Sequence, residues 1–356
     1  MADLAKHIAA VFPLPFFKRR AGTWLKNEVI FPFYHTVSDV PMRHLNNLYT
    51  IRSSRAFEKD LDFLLRHADP VSMKTLLSSP EPPGNGRSRM VLSFDDGLAQ
   101  CHDTVMPILQ RKGVPAVFFL NNDFIDNRGL FYRYKVSLLL EKLRHVSVIE
   151  KEEAAALLRC RRSGLRKALR NISYAGREMT DHIAAVWGLS FEDYQRMNPV
   201  YMSSMQVKDL QRRGFEIGAH GTDHPWFSIL TPEHGVAQVR KSMEDIRRRF
   251  SVPRRYFAFP FTDHGVSDAM IDHLFEKEII HAGFGTAGLK EDRWDHYHQR
   301  IPMEFGRYSG KNVLKGELLR RYVRVRLNRN RVDRKYVPGI PEKVAAGNSR
   351  LRPEGN

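Results

Sequence analysis

The chain has 356 residues, 42% hydrophobic and 27% charged, which excludes a largely disordered protein and leaves room for one large α/β domain with an insertion, or two modest domains. A net charge of +17 implies attraction to anions (nucleic acid, an acidic membrane surface or an acidic glycan) without choosing among them. The two cysteines, Cys101 and Cys160, show neither CxxC nor paired spacing, which excludes a disulfide framework and a cysteine zinc site and suits a reduced compartment.

Residues 1–29 read as an N-terminal arm. Its apolar stretch over 8–17 is broken by two prolines, lacks a preceding basic cluster and is followed by Lys18-Arg19-Arg20. That makes a poor signal peptide and is too short to span a bilayer. Phe12, Phe16 and Phe17 suit either contact with a membrane surface or a fold back against the body. Residues 23–51, with Phe33-Tyr34-His35, suggest an early strand and a loop. A helix is predicted from Ser53 or Ser54 to about Ala68, because Phe57, Leu61, Leu64 and Leu65 recur at helical spacing. Residues 79–86, rich in Pro and Gly, form a surface linker. The stretch Val91-Leu92-Ser93-Phe94-Asp95-Asp96-Gly97 reads as a buried strand that stops in a polar turn.

A helix carrying Val105, Ile108 and Leu109 and stopped by Gly113, then a strand over 115–120, complete a βαβ unit with parallel pairing. Residues 127–200 change to long helical stretches rich in Leu, Lys and Arg, read as a helical insertion. Its Cys160-Arg161-Arg162 and Arg166-Lys167 runs suit a solvated basic face or an anion-binding surface. The α/β alternation resumes with a helix over 205–213 and a strand over 215–219. Thr231-Pro232-Glu233 then starts a helix running to about 250: a capping threonine, proline at the first helical position and an early acid. A strand over 256–259, a helix over 267–277 and a strand over 279–284 follow. Arginines crowd 315–335, and 316–356 read as a basic C-terminal extension, flexible beyond Pro338. No internal repeat is present.

Two polar clusters stand at predicted strand ends. Asp95 and Asp96 repel each other unless a cation or shared proton relieves them. His220-Gly221-Thr222-Asp223-His224-Pro225 directly follows the strand over 215–219, and its glycines and proline argue for a loop rather than a helix. Two imidazoles and one carboxylate, from Asp95 or Asp96, make a three-ligand set for a divalent metal such as Zn²⁺ with a position left for water. Strand C-termini are where α/β barrels place catalytic groups.

Ser93-Phe94-Asp95-Asp96-Gly97, His220-Gly221-Thr222-Asp223-His224 and Phe257-Ala258-Phe259-Pro260-Phe261 resemble, in order, the first three motifs of the polysaccharide deacetylase family, the NodB homology domain of carbohydrate esterase family 4. The resemblance covers about residues 30–125 and 200–305. It implies an irregular (β/α) barrel over 30–315 that removes an N-acetyl group from an amino sugar and releases acetate. By position, Asp95 resembles the general base, and Asp96, His220 and His224 the metal ligands, with a backbone N–H near Phe261 at the oxyanion.

Two departures stand out. The family's third motif often has an arginine where this chain has Ala258, and Arg255 or Arg300 are the candidates to replace it. The family usually takes its general acid from a late histidine, and of His264, His281, His296 and His298 the sequence favours His298, then His264. Trp226 and Trp294 either stack on a sugar ring or pack in the core, and Arg300 binds an anionic substrate group or pairs with a carboxylate.

The sequence thus points to a metal-dependent N-deacetylase of a polysaccharide, oligosaccharide or glycolipid precursor. Zn²⁺ is the expected metal, and Phe261, Trp226, Trp294 and Arg300 are the expected substrate contacts. A cytoplasmic location with peripheral contact to an anionic membrane is expected, and nucleic acid is disfavoured as a partner. The oligomeric state stays open. Two rivals remain: a metal amidohydrolase acting on a small non-sugar amide, and a non-catalytic basic barrel that binds polyanions or membrane.

Overall fold

Residues 28–79, 86–306 and 308–334 are described by a computed structural model. The expected features of the arm before residue 28, most of the linker and the tail from 335 lie outside the described residues.

The strands are short and buried on both faces, as all-parallel pairing requires. They are β1 (Val29–Ile30), β2 (Pro32–Tyr34), β3 (Ala68–Pro70), β4 (Ser88–Met90), β5 (Leu92–Phe94), β6 (Ala116–Leu120), β7 (Glu216–Ala219), β8 (Tyr256–Ala258), β9 (Ala282–Gly285), β10 (Tyr297–Gln299) and β11 (Ile301–Pro302). Eight of them form one sheet in the order β10-β9-β8-β7-β6-β5-β2-β11. Its two outer members are consecutive pieces of one stretch: β10 pairs with β9, and β11 with β2. The sheet therefore closes on itself at Arg300, whose N–H donates to the Gly285 carbonyl (3.1 Å) while the Ile301 N–H donates to Phe31 (2.8 Å). The expected (β/α) barrel is what the chain forms. A second sheet, β1-β4-β3, is its splayed base, since β1 and β4 run directly into β2 and β5.

Side-chain alternation sorts the core in two. Ala116, Phe118 and Leu120 of β6 join the large cluster shared with the surrounding helices, whereas Val117 and Phe119 join Phe31, Val91, Tyr256, Ala258, Ala282 and Phe284 inside the barrel. Met73 and Leu76, from the helix Met73–Ser78, plug the inner cluster. That plug is tied down by Glu216 at the start of β7, which accepts from the N–H groups of Met73 (2.7 Å) and Lys74 (3.0 Å). Gly218 also faces inward. A Cβ there would lie 2.5 Å from Phe119 Cδ1 and 2.9 Å from the Tyr256 carbonyl. Gly218→Ala is therefore expected to lower stability by about 1–3 kcal/mol through overpacking. Denaturant unfolding checks this, and an unchanged midpoint would refute it.

Helix starts follow their caps. Ser53, Ser203, Thr231 and Ser267 each accept from a first-turn N–H of the helices Ser54–His67, Ser204–Arg212, Pro232–Phe250 and Asp268–Glu276, each cap being worth about 1 kcal/mol. The strand expected over 279–284 is seen at Ala282–Gly285, and β3 and β4 were not expected. Five α-helices, from Tyr132–Lys142 to Phe191–Met197, lie between β6 and β7, in the span read as an insertion. Residues 315–326 of the arginine-crowded stretch lie in the helix Gly310–Arg326, so the division drawn at 315/316 falls inside a helix. This helix packs on Ser54–His67, with the Gly310 N–H donating to buried Asp60 (2.6 Å). No helix among the described residues is long and apolar enough to cross a membrane.

Candidate active site

Asp95 and Asp96 stand immediately past β5, and His220 immediately past β7. Asp96, His220 and His224 are buried, and one ligand-type atom from each lies within 4.8 Å of the others. Asp96 Oδ1 is 3.2 Å from His224 Nε2 and 3.5 Å from His220 Nε2. The backbone is bent to achieve this: Asp96 (φ 71°), His224 (φ 60°) and Phe261 (φ 58°) all occupy the left-handed region, where non-glycine residues cost about 1–3 kcal/mol and cluster at functional sites.

Each ligand is oriented by a neighbour. Nδ1 of His220 is 2.8 Å from the Ala258 carbonyl; as the donor there, it leaves the Nε2 lone pair facing Asp96. Burial lowers the His220 pKa to about 4, against the pull of Asp95, so the imidazole is neutral at pH 7. The His224 ring is gripped by Phe131 (4.3 Å between centroids) and Phe261 (4.5 Å). Asp96 Oδ2 accepts from the Tyr134 hydroxyl at 2.6 Å, while Oδ1 has no hydrogen-bond partner. Burial would raise the Asp96 carboxyl, but His224, His35 and His220 hold it far below the usual carboxylate range. An ionised, buried and unpartnered carboxylate oxygen facing two imidazole nitrogens is the donor set that a divalent cation fits.

Asp95 is held differently. Arg300 donates to both its oxygens, Nη1 to Oδ1 (2.7 Å) and Nη2 to Oδ2 (2.8 Å), and the guanidinium lies over the Phe33 ring at 4.3 Å. Burial would raise this carboxyl, but Arg300 and then His220 lower it. Of the two arginines considered for the place left by Ala258, the chain uses Arg300. Its side chain is fully buried, so it sits on Asp95 rather than at a surface open to substrate. Arg255 instead lies 3.7 Å from Glu278.

The structure does not bring the favoured acid candidates to this cluster. His298 lies one inward-facing position before Arg300 on the closing strand, stacked on Phe31 (4.3 Å) inside the barrel, and burial lowers its pKa to about 3. His264 is exposed in the loop after β8. The histidine that stands level with Asp95 is His35, directly after β2, since Phe33 and Tyr34 pair with Ser93 and Phe94 of β5. Its Nδ1 is 2.6 Å from Glu304 Oε2, and Glu304 also accepts from the His35 backbone N–H at 2.9 Å. Burial disfavours the imidazolium, but Glu304, with Asp96 and Asp95 beyond it, pushes the pKa up to about 9. The ring is 26% exposed and stacks on Tyr49 (4.7 Å). Phe33-Tyr34-His35 was the available signal: aromatic strand residues ending in a histidine at the same level as Asp95.

Of the expected substrate contacts, Phe261 is half-buried against His224, and buried Trp226 stacks behind it at 4.4 Å. They form a wall of the ligand site. Trp294 is remote, in the loop preceding β10, where its Nε1–H donates to Asp272 (2.8 Å) and Arg293 covers its face.

A barrel with ionisable groups converging on its strand C-termini, one carboxylate clamped by arginine and another facing two imidazoles, places a candidate catalytic centre on the face where such barrels carry theirs. The family model for polysaccharide deacetylase matches residues 84–274, more than half of the chain, and the chain belongs to that family, whose members hydrolyse amide bonds. Similar solved structures include the deacetylase PplD of Streptococcus pyogenes in complex with acetate (13% identity, TM-score 0.52, covering 82% of this chain and 98% of that one). IcaB of Ammonifex degensii is similar too (15% identity, TM-score 0.51, 82% and 97%). At these identities the likeness is one of fold. No curated protein sequence matches the chain.

Proposed function

We propose that the protein removes N-acetyl groups from amino sugars of a glycan, releasing acetate, with Asp96, His220 and His224 holding a divalent cation. Zn²⁺ suits two imidazoles and one carboxylate best. The observation that carries this reading is the convergence of Asp96, His220 and His224, with one ligand atom from each within 4.8 Å of the others, beside Asp95, whose Oδ2 stands 3.9 Å from His220 Nε2. When bound, such a cation supplies Lewis acidity, lowering the pKa of a water and polarising the acetamide carbonyl.

The chain's own groups do the rest. Asp95 Oδ2, 3.9 Å from His220 Nε2, faces the ligand set and takes the proton of the attacking water. Arg300 keeps Asp95 ionised and fixes its plane. The N–H of Phe261 has no acceptor among the described residues and is the donor offered to the developing oxyanion. His35 delivers a proton to the amide nitrogen, which leaves only as an amine, and Glu304 keeps that imidazole charged. The substrate is an N-acetylated glycan, and the charge of +17 favours an anionic or lipid-linked form of it.

Acetate release from N-acetylhexosamine oligomers and lipid-linked saccharides tests the reading. Turnover that chelation abolishes and Zn²⁺ restores is expected, and no acetate from any N-acyl sugar would refute it.

The acid has its own pH signature. Because the folded pKa of His35 is raised from 6.5 to about 9, its charged form persists through neutral pH and is lost as pH rises through the folded value. The stability gained from the Glu304 pairing is likewise complete below about pH 6.5 and fades above it. Glu304→Gln removes the first charge that raises this pKa, so the alkaline limb of kcat/KM is expected to move toward about 6.5. A pH–rate profile with its alkaline limb unmoved would remove His35 from the acid's role.

A further inference from the structure

The helical insertion reaches the catalytic centre through two phenols. Helix Tyr132–Lys142 is no loose lid: Tyr132, Tyr134, Val136, Ser137, Leu138, Leu139 and Leu140 are all buried. Its Tyr134 donates to Asp96 Oδ2 at 2.6 Å, and the ring is fixed edge-on by Phe131 (5.1 Å) and stacked by Tyr201 (6.1 Å). Farther along the insertion, Tyr174 donates to Oδ2 of Asp223, also at 2.6 Å. Asp223 lies in the loop between His220 and His224, and its other oxygen accepts from Thr222 (3.2 Å) and Gln238 (3.3 Å). One phenol thus holds the aspartate of the ligand set, and the other holds the loop that carries both histidines.

We infer that the insertion completes the metal centre, with Tyr134 as the positioning residue that commits Asp96 to ligation through Oδ1 alone. This rests on the reading that Asp96, His220 and His224 hold a divalent cation. An ionised carboxylate only accepts hydrogen bonds and can turn either oxygen, or both, toward a cation. With Oδ2 occupied by the phenol, the carboxylate plane is set and Oδ1 is left facing the two imidazoles, where it has no other partner. Groups that orient metal ligands in this way typically account for about 10- to 100-fold in metal affinity. Tyr174 acts one step farther out, on the histidine loop, with a smaller expected effect.

The test is Zn²⁺ affinity, measured by competition with a chromophoric chelator, for the wild type, Tyr134→Phe and a control, Tyr256→Phe. Tyr256 also donates to a carboxylate, half-buried Glu216 (3.2 Å), but at the plugged end of the barrel. Tyr134→Phe is expected to bind Zn²⁺ at least about tenfold more weakly, with Tyr256→Phe unchanged. Equal affinity in wild type and Tyr134→Phe would overturn the inference while leaving the metal reading intact. A wild type that binds no divalent metal would overturn both. A second measurement needs no variant: because coupling is reciprocal, Zn²⁺ should slow amide hydrogen exchange in helix Tyr132–Lys142 of the wild type. Exchange unaffected by Zn²⁺ would likewise overturn the inference.

Discussion

Asp95→Asn is expected to lower kcat by about two to four orders of magnitude, the range for removing a general base, while leaving Zn²⁺ affinity within a few-fold of wild type. The separation arises because the two adjacent aspartates have different partners. Asp96 faces His220 and His224; Asp95 faces Arg300 through both oxygens. The amide keeps the shape of the side chain and one acceptor for the guanidinium, so folding should survive. It cannot take a proton from water at neutral pH. Acetate release measured beside metal content checks both halves, and a variant retaining wild-type kcat would remove Asp95 from the reaction.

Arg300→Met is expected to lose both stability and activity. The guanidinium is fully buried, and its removal leaves a buried carboxylate without the partner that engages both its oxygens. Breaking a buried pair from one side costs about 3–5 kcal/mol. The Asp95 carboxyl should also rise, so that the base is protonated over more of the neutral range, and the acid limb of kcat/KM should move up with it. The double variant Asp95→Asn with Arg300→Met removes both charges, and it should be more stable than Arg300→Met alone. Denaturant unfolding of the four proteins reads this directly. Additive losses would mean that the pair is not coupled.

The outcome at Asp95 shows what was legible in the sequence. Two carboxylates and a glycine at the end of an apolar run, and two histidines in a Gly- and Pro-bounded loop after another, are local patterns. Local patterns fix strand ends, and strand ends fix the catalytic face of a parallel barrel. Hence His220, His224 and one of the two aspartates could be grouped before any geometry was known, and the family resemblance singled out Asp96. The acid depended on something non-local. Glu304 lies 269 residues from His35 and meets it only because β11 pairs with β2 as the barrel closes. Without that closure, His35 reads as an ordinary strand residue, and the late histidines attract the assignment instead.

His298 and Arg300 illustrate the same limit on a finer scale. Both point inward from one stretch of strand, and alternation puts them one layer apart. The sequence identified the stretch, but which layer lies at the catalytic level depends on register against β9, where His298 pairs with Phe284. Tyr134 was hidden for another reason. A tyrosine in a Leu-rich helical stretch looks like core, and it is core at its ring. Only the hydroxyl, at the end of a buried side chain, reaches Asp96.

Acetate release from an N-acetylhexosamine oligomer by metal-depleted protein, before and after addition of one equivalent of Zn²⁺, bears most directly on the account. Turnover should appear on Zn²⁺ addition in the wild type and stay absent in Asp95→Asn. Equal acetate release with and without metal, or from both proteins alike, would contradict the assignment of this cluster as the deacetylase centre.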